Sequence, residues 1–244
     1  VGRPAHVYIA ESRPDREGIG EAERHARANV NVTLVTNAGK PEKGSNTSWA
    51  QGGIIYKGVE DSPESLAADV QTAGVGVCEP NAVRLLAERG PALVEQLLIE
   101  RLGVPFDRND GGALDPAEEG AHSVPRIVHV GDHTGEAIAR ALGQAVAAHP
   151  NVELCTEATA VDLILTAHHT ANPVDIYKPP RCLGAYMLDQ KSGEVAPYVA
   201  RETILATGGL GQIFLHTTNP KRSRGDGLAM AYRAGARVIN LEYV

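Results

Sequence analysis

Residues 30–36 read VNVTLVT, a β-branched run that is typical of a buried strand. Residues Glu21–Asn29, just before it, have helical spacing, and His6–Ala10 forms an earlier short apolar run. The opening of the chain therefore has the outline of a β-α-β unit. Further along, short β-branched runs alternate with longer helical patterns, which indicates an α/β fold with a mostly parallel sheet covered by helices.

The patterns beyond this opening predict further helices. Helical spacing recurs over Asp61–Val75, Asn81–Leu98 and Gly135–Ala148. Ser62 is predicted to cap the first of these helices, because Pro63 after it suits a first helical turn, and Thr134, directly before Gly135, is predicted to cap the third.

Several strands are also expected in the second half of the chain. Val152–Leu165 is a strand candidate in two parts, and Cys182–Leu188 and Ala196–Ala200 predict a hairpin. Glu202–Ala206 is predicted as a separate short buried strand, and Arg237–Val244 as a last strand. Because a domain rarely stops in mid-strand, we expect a partner segment to be missing from the chain.

Composition narrows the class of protein. The net charge of −7 argues against nonspecific binding to nucleic acid or to anionic lipid, since both need a basic face. Neither a membrane-spanning apolar run nor a signal peptide is indicated. The cysteines, Cys78, Cys155 and Cys182, are odd in number and far apart. They favour reduced thiols in a cytoplasmic protein over a disulfide framework.

Three glycine-rich segments suggest a ligand site. Ser45–Gly53 reads SNTSWAQGG, in which small hydroxyl residues and two glycines let a backbone approach a large flat ligand; an ordinary turn is the alternative. Ala206–Gly211 reads ATGGLG after a buried strand, where a dinucleotide crosses an open parallel sheet, although a tight strand-exit turn explains it too. Asp226, between Gly225 and Gly227, either caps a helix or accepts bonds from a cofactor.

In this order and spacing, the segments resemble the flavoprotein family of fumarate reductase, succinate dehydrogenase and L-aspartate oxidase. The family's motifs stand here as AQGGI at 50–54, ATGG at 206–209, TTNP at 217–220 and GDGLAMA at 225–231. The resemblance implies a Rossmann-like FAD-binding domain with a parallel sheet, helices on both faces and a small antiparallel β insertion. The FAD-binding residues that it implies are Asn46, Thr47, Ser48, Trp49, Ala50, Gln51, Gly52, Gly53, Thr207, Gly208, Gly209 and Asp226.

Other segments indicate the branch of the family. Respiratory members attach FAD covalently through a histidine where this chain has Asn46, and an amide cannot make that bond, so FAD is expected to be noncovalent. EGAHS at 119–123, RIVH at 126–129 and DHTG at 132–135 resemble L-aspartate oxidase. In that branch the glutamate matching Glu119 orients the substrate's amino group, a role suited to a carboxylate. Ala121 replaces a glycine of the family's motif, and a solvated loop acid is the alternative for Glu119.

The branch implies oxidation of L-aspartate to iminoaspartate on the route to quinolinate and NAD, with oxygen or fumarate as the acceptor. We expect residues 1–244 to be one incomplete FAD-binding domain without the family's capping and C-terminal helical domains, and to be weakly active or inactive alone. Of the substrate residues, only Glu119 lies in this range, and no base for the substrate proton is identified.

One departure bears on the cofactor. The family opens with Gly-x-Gly-x-x-Gly after its first strand, where Ala10–Glu17 reads AESRPDRE here. Acids repel a pyrophosphate, and Pro14 lacks an amide donor. A cofactor-free binding or structural remnant is therefore one alternative, and a fumarate reductase or succinate dehydrogenase-type flavoprotein is another. His122, His129 and His133 match no compact zinc motif, so no metal is predicted.

Overall fold

The structure is a computed structural model that describes residues 30–40 and 45–242, apart from the side chain of His169, and the backbone of residues 5–10. The predicted helix Glu21–Asn29 and the segment that replaces the glycine fingerprint after Ala10 lie outside the described residues. Contacts divide the chain into two compact units, one of Val1–Thr47 with Leu142–Val244 and one of Ser48–Ala141.

The strands are β1 (Ala5–Ala10), β2 (Val32–Thr36), β3 (Ile54–Ile55), β4 (Ile127–Val128), β5 (Val152–Cys155), β6 (Ala158–Leu165), β7 (Cys182–Asp189) and β8 (Val195–Leu205). The α-helices are α1 (Asn46–Trp49), α2 (Pro63–Ala73), α3 (Pro80–Leu93), α4 (Thr134–Ala147), α5 (Thr166–His169) and α6 (Asp226–Arg233).

The first unit is built on a six-stranded sheet in the order β5-β2-β1-β8-β7-β6. Strand β1 pairs in parallel with β2 and β8, and β2 pairs in parallel with β5. Every residue of β2 is buried, as expected for a strand covered on both faces. The parallel sheet predicted from residues 30–36 is therefore confirmed.

Strands β6, β7 and β8 form an antiparallel extension of the same sheet. The two-part strand within Val152–Leu165 and the hairpin of β7 and β8 are confirmed. Ala196–Ala200 and Glu202–Ala206 are not separate strands, however, because both belong to β8, which pairs with β7 through its first half and with β1 through its second half. Because β8 pairs antiparallel with one neighbour and in parallel with another, its sequence pattern changes along the strand and predicts two segments.

A hydrophobic core lies beside β6, β7 and β8. It is formed by Val35, Ala160, Leu163, Leu165, Ala185, Met187, Ala200 and Met230. Helix α6 contributes Met230, which is 1% exposed, and Arg233 of the same helix donates to the Asp162 carboxylate at 3.1 Å and to the Val161 carbonyl at 3.3 Å. These contacts hold α6 against β6.

The predicted strand Arg237–Val244 is wrong over its described residues. Residues 237–242 are in no strand, and Asn240 has a φ of 57°. A left-handed backbone cannot continue an extended strand, so the alternating pattern does not produce one here.

The second unit contains α2 and α3, which pack together. Ser62 caps α2 as predicted, since its hydroxyl accepts from the Ser65 amide at 3.1 Å. Helix α3 contains Pro91, which lacks an amide hydrogen, and it continues as a π-helix over Val94–Arg101. A proline inside a helix removes one hydrogen bond of the regular ladder, which accounts for the change of helix type at this point.

Two short strands complete the second unit. Strands β3 and β4 pair antiparallel, with Ile54 opposite Val128. The predicted cap at Thr134 is wrong: Thr134 is the first residue of α4, and its hydroxyl accepts from the Val130 amide at 2.8 Å. In the described part of the chain, no helix is both long and apolar enough to cross a membrane.

Candidate functional site

In the first unit, the predicted residues Thr207–Gly209 follow the end of β8, at the carboxyl end of the parallel part of the sheet. Thr207 is buried, and the amide of Gly225 donates to the carbonyl of Gly209 at 3.2 Å. A Cβ on Gly227 would overlap the Thr207 side chain. The glycines therefore allow the start of α6 to approach the end of β8 closely, and they leave bare backbone where the cofactor was predicted.

Asp226 lies in the first turn of α6. Its carboxylate pairs with Arg224 at 3.0 Å, and the N-cap position before it is occupied by Gly225, which has no side chain. A negative charge is favoured at this positive end of the helix dipole. The alternative in which Asp226 caps the helix through its side chain is therefore not what the structure contains.

Asn46 brings the first glycine-rich segment to the TTNP segment. Its side-chain amide donates to Asn219 Oδ1 at 2.6 Å. Asn219 is held in turn by Thr217 Oγ1, at 3.1 Å from its backbone amide, and its side chain occupies the space that a Cβ on Gly211 would fill. No role was predicted for Asn219 itself, although it lies in the TTNP motif.

In the second unit, residues Trp49–Gly52 form an exposed stretch, with 59% of the Trp49 side chain accessible. The carbonyl of Ala50 accepts from the Gly135 amide at 3.0 Å, which ties this stretch to the start of α4. Gly53 lies against β4, where a Cβ would overlap Ile127 and the Val128 carbonyl. Gly53 is therefore required by packing alone, whatever it contributes to a ligand.

Glu119 and the glycines of this stretch come together. The amide of Gly53 donates to Glu119 Oε1 at 3.3 Å, and a Cβ on Gly52 would lie 3.3 Å from the same oxygen. Glu119 is exposed. The predicted substrate-orienting carboxylate therefore lies directly beside the predicted cofactor segment of the same unit.

A buried arginine lies behind the Glu119 loop. Arg126 has no exposed side-chain surface, and its guanidinium donates to Asp61 twice, at 2.9 and 2.8 Å, and to Asp69 at 2.5 Å. It also contacts Ser65 Oγ and His122 Nδ1, each at 3.1 Å. A guanidinium carries five N–H donors, and these contacts use all of them. Because an arginine cannot accept, Nδ1 of His122 must be the unprotonated nitrogen.

These contacts set the charge of the two carboxylates. The backbone amide of Ser123, then its hydroxyl and Arg126, lower the pKa of Asp69 from 3.8 to about 2. Burial opposes ionisation of Asp61, but Arg126 and the Gly58 amide outweigh it, so the pKa of Asp61 is also lowered. Both groups are anions that balance the buried cation.

Sequence reasoning did not find this network. A signal was available, since Asp61, Ser65 and Asp69 are spaced four residues apart and so share one side at and before helix α2. The other histidines of the segment have local partners: His129 Nδ1 lies 2.9 Å from Asp107, and His133 Nδ1 lies 3.2 Å from Asp132. The described residues contain no group of three or more His, Cys, Asp or Glu arranged to hold a metal ion.

The family profile described as FAD binding domain matches residues 20–244. L-aspartate oxidase 1 of Ralstonia nicotianae is 39% identical over 223 residues, which cover 90% of this chain and 40% of that protein. The L-aspartate oxidase of Pseudomonas aeruginosa is 42% identical over 217 residues, covering 86% and 39%. The chain thus spans about 40% of the length of these curated relatives.

Solved structures share the fold. The FrdA chain of Escherichia coli quinol fumarate reductase superposes with a TM-score of 0.82 at 23% identity, covering 94% of this chain and 37% of that one. The Mycobacterium smegmatis Sdh1 complex gives 0.81 at 25% identity, covering 95% and 38%. The predicted Rossmann-like fold is confirmed by this likeness. The chain belongs to the FAD binding domain family, and over most of its length it is similar to L-aspartate oxidases.

Proposed function

We propose that this flavoprotein oxidises L-aspartate to iminoaspartate with FAD as the hydride acceptor. Its curated relatives at about 40% identity carry the name L-aspartate oxidase. The observation that carries the proposal is the contact of Glu119 with the Gly53 amide at 3.3 Å. It supports a substrate-binding carboxylate at the edge of the proposed flavin segment.

The residues fit a large, flat cofactor. The glycine backbone at Gly208–Gly209, and separately the exposed stretch Trp49–Gly52, each suit close approach by a ring system or its phosphates. We assign Asn46–Gly53, Thr207–Gly209 and Asp226 to FAD. Because Asn46 carries an amide, the cofactor is held noncovalently.

The reaction removes a hydride from Cα of L-aspartate and a proton from its nitrogen, which leaves a C=N bond. Bound FAD supplies the acceptor for the hydride. Glu119 pairs with the substrate's ammonium group and thereby orients Cα. We propose oxygen or fumarate as the final acceptor of the electrons.

Glu119→Gln tests the assignment. The amide keeps the size of the side chain but loses the charge that attracts an ammonium group, so we expect anaerobic bleaching of the flavin absorbance by L-aspartate to slow by at least about tenfold. The adjacent and exposed Glu118→Gln serves as the control and should retain the rate of the unmodified protein. Equal rates in both variants would remove Glu119 from the site.

The choice of reductant separates the alternatives. Bleaching by succinate but not by L-aspartate would show a succinate dehydrogenase or fumarate reductase-type activity instead. A protein that is colourless as purified and takes up no FAD would favour a cofactor-free remnant. Acid precipitation tests the noncovalent attachment, since the yellow colour is expected in the supernatant and a yellow pellet would contradict it.

A further inference from the structure

The loop that carries Glu119 has few anchors of its own. Residues Glu119–Ala121 are exposed, and the turn is closed by one bond from the His122 amide to the Glu119 carbonyl at 3.2 Å. At the turn, Ala121 has a φ of 67°, a left-handed backbone conformation that raises the free energy of a residue with a Cβ. The carboxylate of Glu119 makes a single described contact, to Gly53. Contacts outside the turn must therefore hold the Glu119 carboxylate in place.

Asp69 supplies that anchor. One of its oxygens, Oδ2, accepts from both the backbone amide and the hydroxyl of Ser123, each at 2.8 Å. The same oxygen accepts from Arg126. Three donors converging on one carboxylate oxygen hold the carboxyl end of the loop against helix α2.

Arg126 makes this anchor rigid. Its side chain is fully buried and all its donors are used, so it has one orientation available. One of its contacts is to His122, in the loop itself. The chain of contacts runs from Asp61 through Arg126 and Asp69 to the loop, and it ends four residues from Glu119.

We propose that Asp69, held by Arg126, is a positioning residue that places Glu119 for recognition of the substrate's amino group. This inference rests on the proposed function, because it assumes the role of Glu119 given there. In this role Asp69 acts through the loop that carries Glu119 and not by contacting the substrate. Its effect is to narrow the range of positions that the Glu119 carboxylate samples.

Asp69→Asn separates positioning from general stability. The FAD-loaded variant should bind L-aspartate at least about tenfold more weakly, while its affinity for succinate, a dicarboxylate without an amino group, stays within about twofold of the unmodified protein. The affinity for L-aspartate is taken from the concentration dependence of the bleaching rate, and that for succinate from the perturbation of the oxidised flavin spectrum. Equal losses for the two ligands would mean a merely structural role and would overturn the proposal.

Two further variants sharpen the comparison. Glu64→Gln removes an exposed acid from the same helix and should change neither affinity. Ser123→Ala removes the hydroxyl but keeps the amide, so we expect an intermediate loss for L-aspartate, whereas Ser123→Thr keeps the hydroxyl and should restore most of the affinity.

Hydrogen exchange provides a readout that needs no substrate. In Asp69→Asn the amides of Ser123 and Gly53 should lose protection, and in Glu64→Gln they should not. If the unmodified protein does not prefer L-aspartate over succinate, the proposed function fails. Loss of protection at the Ser123 and Gly53 amides in Asp69→Asn would still support positioning by Asp69. Unchanged protection in Asp69→Asn would overturn the positioning.

Discussion

At the scale of single residues, Ala121 differs from the motif that the resemblance implies, and its backbone conformation is unfavourable for a residue with a Cβ. The resemblance places a glycine there, and the structure gives Ala121 a φ of 67°. A left-handed conformation costs a residue with a Cβ about 1–2 kcal/mol, whereas a glycine loses about 0.5–1 kcal/mol in chain entropy. The cost of the left-handed backbone in alanine is therefore larger than the entropy cost of a glycine.

We therefore expect Ala121→Gly to raise the free energy of unfolding by up to about 1 kcal/mol, as measured in urea. Ala113 is also an exposed loop alanine, but it is not among the residues with positive φ. Ala113→Gly should lower the free energy of unfolding by about 0.4–1 kcal/mol, because only the entropy term applies. The same sign for both substitutions would contradict the strain at Ala121.

Asp69 predicts a local dependence of stability on pH. Its pKa is about 2 in the folded protein against an ordinary value of 3.8, so the stability it contributes is fully present above pH 3.8 and is lost as the pH falls toward 2. The difference in unfolding free energy between the unmodified protein and Asp69→Asn should shrink across this window. Urea titrations at a series of pH values check this, and a constant difference for Asp69→Asn would disprove the linkage.

At the scale of elements, local signals were predictable and long-range ones were not. Ser62 caps α2 through a bond to a residue three positions along, so the sequence contains the whole interaction. Strand β8 was predicted as two strands because its two halves face different neighbours, which only the sheet order reveals. Thr134 has the residue type of a cap, but its hydroxyl is used by the Val130 amide.

In the candidate site, too, local motifs were predictable and long-range contacts were not. The contact of Asn46 with Asn219 spans 173 positions, and that of Glu119 with Gly53 spans 66. The segments were recognised as motifs, but which side chains meet depends on packing that no single segment encodes. The network of Arg126 was missed because Asp61, Ser65 and Asp69 lie in or just before helix α2, for which no functional role was predicted.

Gly227 links two elements, and it yields a prediction at that scale. A Cβ there would overlap the buried Thr207 side chain, so Gly227→Ala must push α6 away from the end of β8. We expect a loss of about 1–3 kcal/mol in unfolding free energy, as for other overpacked sites. The purified variant should also carry less flavin, measured from its absorbance per protein.

Ala229→Ser provides the control for Gly227→Ala, because it enlarges an exposed position of the same helix. It should leave both stability and flavin content unchanged. If Gly227→Ala behaved in the same way, the close approach of α6 to β8 would not constrain this end of the sheet.

At the scale of the whole molecule, contacts divide the chain into two compact units. That residues 1–244 are one incomplete FAD-binding domain stays a prediction. The second unit, Ser48–Ala141, is inserted between the two segments of the first. Local periodicity does not indicate that two distant segments form one compact unit, so the sequence alone does not reveal this division.

Cofactor binding by the whole molecule can be followed through its single tryptophan. Trp49 is the only tryptophan of the chain, and it is 59% exposed within the proposed flavin segment. Because a flavin ring absorbs where tryptophan emits, we expect FAD to quench the fluorescence of Trp49 in a saturable titration. The free amino acid derivative N-acetyltryptophanamide, titrated in parallel, corrects for simple absorption of light by FAD.

The same FAD should stabilise the fold, since a ligand bound only by the folded state adds about 2.7 kcal/mol at a hundred times its dissociation constant. The midpoint of thermal unfolding should therefore rise with FAD concentration, and it should rise equally in Trp49→Phe if the ring serves mainly as a reporter. Quenching without stabilisation would place FAD near Trp49 without a specific site. Stabilisation without quenching would instead move the flavin away from the segment Asn46–Gly53, because energy transfer to a bound flavin requires proximity.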